Sequence, residues 1–128
     1  MPREAFLPDA RKQPISGVVR AGDFVIVAGQ VGTRDIYSVD DVIEGIEPQI
    51  RQAVENMKKC LETAGATLDD VVRGGIFLKN HGDWAIFKKV WQEYFPKDFP
   101  ALTTIVVDFV NPKLLLEIEC LAYAPRSR

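Results

Sequence analysis

The chain has little cysteine, a single histidine and no long apolar run. Its two cysteines, Cys60 and Cys120, are too few for a disulfide scaffold, and no CxxC or Cys/His cluster suggests a metal site. Free thiols fit a reducing compartment. The lone histidine, His81, stands in Lys79-Asn80-His81-Gly82 with no second ligating residue beside it. No segment nears the roughly 20 apolar residues that span a bilayer. Met1-Pro2-Arg3-Glu4-Ala5-Phe6 lacks the apolar stretch of a signal peptide. A cytosolic protein without membrane contact is expected. A basic excess is also missing: 16 Lys plus Arg stand against 18 Asp plus Glu, for a net charge of −2. A nucleic-acid partner would need a cationic face, so none is expected. GxGxxG, P-loop, GxSxG and HExxH motifs are absent, which removes the commonest nucleotide, serine-hydrolase and zinc-protease signatures.

What remains is an ordinary globular composition, 47% hydrophobic and 27% charged over 128 residues. That length predicts one domain, 1–128, with its core over about 13–122. Gly17–Arg20 and Asp23–Gln30 read as strands around an Ala21-Gly22-Asp23 turn. Phe24-Val25-Ile26-Val27-Ala28 is apolar on both faces, as in a central strand. Thr33 to Gly45 has no period and reads as a long, functional or mobile loop. Ile46, Ile50, Ala53, Val54, Met57, Leu61 and Ala64 form one helical stripe, predicting a helix over Glu47–Ala64. Pro48 suits its first turn and Gly65 the residue past its end. Asp69–Lys79 reads as a third strand, with a bulge or a close backbone approach at Gly74-Gly75. Asp83 is placed to cap a second helix, Trp84–Phe95, which Pro96 stops. Leu102–Phe109 and Leu114–Tyr123 read as strands joined by a turn at residues 110–113.

The order β-β-α-β-α-β-β predicts an α+β domain: a mixed sheet with both helices on one face. The other face then lacks a cover, although Val25, Val27 and Val106 would give it apolar side chains. Self-association through that face is the simplest remedy.

Few residues stand out for chemistry. Glu117 and Glu119 alternate in an apolar strand, which puts both carboxylates on one face. They suit a general acid/base or a water-ordering group, and equally a solvated face or a structural ion pair. Thr103-Thr104 can offer hydroxyls to a substrate carboxylate, or can serve strand propensity alone. Lys88, beside Lys89, can hold an anion or lie on a wet helix face. Cys60, beside Lys59, reads as packing.

An ordered series of short motifs resembles the RidA family, also called YjgF, over about Gln13–Ala122. The series is Ala28-Gly29-Gln30, Gln52-Ala53-Val54-Glu55-Asn56-Met57, Ala64-Gly65-Ala66, Asp70-Val71-Val72-Arg73, Pro100-Ala101 and Leu116-Glu117-Ile118-Glu119-Cys120-Leu121-Ala122. The resemblance implies a chorismate-mutase-like fold and a homotrimer formed through the uncovered sheet face, with clefts between subunits. It implies hydrolysis of an enamine or imine to a keto compound and ammonia, without metal or organic cofactor. Some relatives act on 2-aminomuconate; others were described as ribonucleases or translation inhibitors. An arginine binds the substrate carboxylate in the family and a glutamate positions water.

Mapped onto this chain, the glutamate is Glu117. The arginine after Pro-Ala is Leu102, the early tyrosine Ile15, its preceding glycine Gln13, and the serine before Gly-Gln is Ala28. The helix asparagine is Lys88 and the cysteine after the arginine is Thr104. Leucine cannot form a bidentate clamp on a carboxylate. Three readings follow. Lys88, Arg34 or Arg73 supplies the anion contact; the substrate is larger and less charged, suiting Ile15, Ala28 and Leu102; or the cleft binds a ligand without turnover, as a regulatory trimer. The leading expectation is a divergent RidA-like deaminase. In it Glu117 is catalytic, Thr103, Thr104 and groups near Gln30 orient substrate, and Lys88 holds an anion. Endoribonuclease action is the weaker alternative.

Overall fold

The computed structural model describes residues 3–8, 13–36 and 40–126. Six strands form one mixed sheet in the order β1-β2-β3-β6-β4-β5. They are β1 Glu4–Pro8, β2 Ser16–Ala21, β3 Phe24–Gln30, β4 Val71–Leu78, β5 Ala101–Val106 and β6 Leu116–Tyr123. All pairings are antiparallel except β4 with β5. Helices α1 (Ile46–Thr63) and α2 (Trp84–Tyr94) complete the α+β architecture.

The helices cover one face. From α1, Ile50, Ala53, Val54, Met57 and Leu61 are fully buried against Val18, Val25, Val27, Leu116, Ile118 and Ala122 of the sheet. α2 adds a run of stacked rings, Trp84, Phe87, Trp91 and Phe95, with successive centroids 5.6, 5.4 and 4.3 Å apart. The opposite face carries Phe24, Ile26, Ile105 and Tyr123, each more than 40% exposed. The expected uncovered apolar face exists, but Val25 and Val27 do not belong to it. The pleat sends them to the helices and turns Phe24 and Ile26 outward. Val106 is exposed on the edge strand β5.

Other expectations shift for physical reasons. β5 and β6 are not hairpin partners, because β4 lies between them. The segment 110–113 turns the chain without setting strand neighbours. The edge strand β1 has no sequence period and ends on a proline, so only its pairing with β2 defines it. Gly74 and Gly75 mark close approaches to Leu102 and Glu119; the irregularity in β4 lies between Val71 and Arg73. Asp83 occupies the cap position of α2, but its side chain accepts no capping hydrogen bond. The loop after Thr33 includes residues 37–39, which lie outside the described residues.

The end of α1 is held by a buried cation. Arg20, 1% exposed, points from β2 to the last turn of α1. Its Nε donates to Ala64 O (3.0 Å) and Nη1 donates to Gly22 O (3.0 Å) and Ala124 O (2.9 Å). Gly65 O is at 3.5 Å from Nη2. Gly65 takes φ +84°, a left-handed conformation that glycine adopts without steric cost. A positive charge at a helix C-terminus is favourable, and the fork satisfies carbonyls that burial would otherwise orphan.

Arg20→Met keeps the volume and orphans those carbonyls. It is expected to lower unfolding stability by about 2–4 kcal/mol. Urea unfolding at fixed protein concentration would show this as a lower midpoint at constant slope; an unchanged midpoint would make the guanidinium dispensable.

Candidate functional site

A cavity of about 300 Å³ opens at one end of the sheet. Leu7 and Pro8 of β1 and Ile15 and Gly17 around the start of β2 form one wall. Ala28, Gly29 and Gln30 at the end of β3 and Glu117 at the start of β6 form the floor. Val31, Thr33, Ile36 and Leu114 make the rim, and Cys60 of α1 closes the back. Four expected site residues thus meet here: Ile15, Ala28, Gln30 and Glu117.

The floor is shaped by a bulge. Val27 pairs with Cys120 and Gln30 with Ile118, so Ala28 and Gly29 together oppose Glu119. Such an insertion bends the strand and re-aims nearby groups. Here it brings the Gly29 backbone onto the Glu117 side chain: a Cβ at Gly29 would lie 1.8 Å from Oε2. No side chain larger than hydrogen fits while the carboxylate stays in place. Gln30 turns its Nε2 back to Ala28 O at 3.2 Å.

Two amides on α1 hold the rim. Asn56 Nδ2 donates to Val31 O (3.0 Å) and Thr33 O (2.9 Å). Gln49 Nε2 donates to Lys113 O, and Gln49 Oε1 accepts from Leu115 N–H, both at 2.9 Å. Sequence reading missed both as positioning residues. The signal was available: they lie seven residues apart, on one helix face, beside the apolar stripe. Polar residues there need partners.

The other expected residues lie elsewhere in the chain. Thr103 is exposed on β5, level with Gly75 and across from Glu119. Thr104 is aligned with Ile76 of the core face. Leu102 packs against the core, next to Gly74, whose added Cβ would also approach Trp91. Lys88 Nζ sits 5.7 Å from the centroid of the Trp84 ring. Strands β6 and β4 separate β5 from β3, so within one chain none of these four lines the cavity. Of the other cations considered, Arg34 pairs with Asp41, and Arg73 lies on β4 beside Ala101. Neither lines the cavity.

Glu117 is therefore a carboxylate without a cationic partner among the described residues. Burial raises its pKa above the ordinary 4.5, and the like charge of Glu119 raises it further. Burial pushes the Cys60 thiol up to about 11 despite Lys59, which disfavours its thiolate. Among the described residues, no cluster of three His, Cys, Asp or Glu side chains could hold a metal, and no helix is long and apolar enough to cross a membrane.

The raised Glu117 value has a sign that can be measured. The folded chain binds this proton more tightly than the unfolded chain. Stability is therefore lost as pH rises from the ordinary carboxylate value through the raised native one. Glu117→Gln is expected to melt above wild type near pH 7, with the gain fading towards about pH 4. Equal melting temperatures near pH 7 would contradict a desolvated carboxylate.

Comparison with known proteins places the chain in a family. The family model described as Endoribonuclease L-PSP matches residues 8–124. A 3-aminoacrylate deaminase, RutC, of Acinetobacter baylyi is 33% identical over 129 aligned residues, covering 96% of this chain and 99% of the relative. A 2-iminobutanoate/2-iminopropanoate deaminase of Dermatophagoides farinae is 34% identical, covering 83% of this chain and 82% of the relative. A crystal structure from Mycobacterium tuberculosis, a member of the YjgF/YER057c/UK114 family, superposes with a TM-score of 0.83 at 30% identity. It covers 96% of this chain and 100% of its own. With a model spanning nearly the whole chain, relatives above 30% identity and a matching fold, the chain belongs to the RidA (YjgF) family.

Proposed function

We propose that the protein is an imine deaminase whose site forms between copies of the chain. The observation that carries this is Glu117, an unpaired carboxylate held against the Gly29 backbone in a largely apolar cavity. Two relatives bearing deaminase names support the reaction class. In the proposed step Glu117 accepts a proton from water as the water oxygen bonds to the imine carbon. The C=N π electrons move to nitrogen, giving a carbinolamine. With the protonated imine as substrate, the proton then passes from Glu117 to the amine nitrogen. The C–N bond breaks and ammonia leaves while the carbinolamine hydroxyl returns its proton to Glu117, forming the C=O of the carbonyl product. A base with a raised pKa in a largely apolar cavity suits this exchange.

A site between copies is supported by where the expected residues fall. Those matching one family site lie at two separated parts of the sheet, around β3 and β6 and on β5 and α2. A second copy would be needed to bring Thr103, Thr104 or Lys88 to a Glu117 cavity. The exposed Phe24, Ile26, Ile105 and Tyr123 offer the surface for such contact. We infer a homotrimer, and light scattering is expected to give three copies of the 14.3 kDa chain. The two buried free cysteines favour the cytosol as its compartment.

A second reading, a ligand-binding trimer without turnover, is favoured by one observation: Leu102 packs into the core where the family carries its arginine. Nucleic-acid cleavage has less support, since the net charge is −2 and, among the described residues, the only acidic or basic side chain lining the cavity is Glu117.

The test is ammonia release from a panel of imines generated in place by amino-acid and amine oxidases, with 2-aminomuconate added. Glu117→Ala is expected to lose about 100-fold or more in rate. Gly29→Ala should fold, because only the flexible end of Glu117 must move, yet lose at least about tenfold. Wild-type rates in both variants would remove Glu117 from the mechanism, and no turnover of any imine would leave the binding reading.

A further inference from the structure

We infer that the Glu117 cavity takes an imine or amine with a branched apolar body and no carboxylate, bound as its cation. The inference rests on the placement of the site above but not on turnover there.

The first support is charge. Among the described residues lining the cavity, Glu117 is the only charged side chain, and no Lys, Arg or His joins it. A carboxylate ligand would lie close to a like charge with no counter-ion, in surroundings that already disfavour one anion. A protonated imine or ammonium group would instead satisfy Glu117 with a charge-assisted hydrogen bond.

The second support is what happened to the candidate cations. Arg34 is engaged by Asp41, and Lys88 sits over the Trp84 ring. At position 102 every copy of the chain carries leucine, packed against the core. A second copy cannot restore a guanidinium that the sequence lacks. Third, Leu7, Ile15, Val31, Ile36 and Leu114 make the remaining wall apolar and branched. Such walls reward apolar burial in the ligand. About 300 Å³ has room for a ligand with a short branched chain. The reaction that would supply this substrate is oxidation of a primary amine, which yields an imine without a carboxylate. Oxidation of an amino acid would yield one with it.

Binding separates the charge preference from catalysis. Isothermal titration near pH 7 would compare isopentylamine, the neutral isovaleramide and isovalerate, which share one branched body. The ammonium is expected to bind wild type at least about tenfold more tightly than the carboxylate, a difference of about 1.4 kcal/mol. Glu117→Gln should erase that difference. Isovalerate binding as well as or better than isopentylamine would overturn the inference and reveal a cation supplied by another copy or by residues outside those described. So would an ammonium preference that survives Glu117→Gln, or no binding by any of the three. A parallel rate comparison uses the imines of isopentylamine and leucine. If the ammonium preference holds while neither imine turns over, the ligand class stands and the deaminase reading falls.

Discussion

Strand β6 is hydrogen-bonded to β3 on one side and β4 on the other, and its register governs everything else in the molecule. Leu116, Ile118, Cys120 and Ala122 face the helices and are nearly or fully buried. The intervening residues, Glu117, Glu119, Leu121 and Tyr123, fall on the other face. A slip of one residue would send two carboxylates into the core and four apolar side chains out of it. The hydrophobic demand of the core therefore locks Glu117 in its place. Core packing and site geometry are consequences of one alternation.

That alternation can be read in the chain, and so can much of the fold. The helical stripe of α1, the aromatic face of α2 and the pairing of Glu117 with Glu119 are local periodic signals. The strand order is not. Nothing local says that β4 enters between β5 and β6, because that neighbourhood is decided by crossovers over whole elements. The orientation of Val25 and Val27 was misread for a related reason. A strand apolar at every position does not reveal which side faces the helices until its partner's register is known.

The site was legible where it follows from β3 and β6 and illegible where it depends on contact at a distance. Ala28, Gln30 and Glu117 share a cavity because their strands are neighbours. The bulge at Ala28 and Gly29 could not be counted from one strand alone, since it exists only against Glu119. Asn56 and Gln49 looked like ordinary helix polar residues, yet each bonds main chain more than 20 residues away. Together they tie the loop after β3 and the segment before β6 to one rigid helix. A site mounted this way is held by regular structure, even though its rim is loop.

Leucine at 102, where the resemblance leads one to expect an arginine, has a structural companion. Leu102 is not an empty substitution at the surface: it packs against the core beside Gly74, whose hydrogen side chain makes the room. A guanidinium at 102 in this orientation would enter the apolar layer beside Gly74, which is costly unless it finds a partner. Meanwhile Glu117 keeps the reverse problem, an anion among apolar neighbours and close to Glu119. The leucine has been absorbed into the core, whereas the retained glutamate is expected to persist at a cost to stability. Local rules are most often broken where function needs it. On the ligand class proposed above, the unsatisfied carboxylate, and not the missing arginine, would set what this cavity recognises.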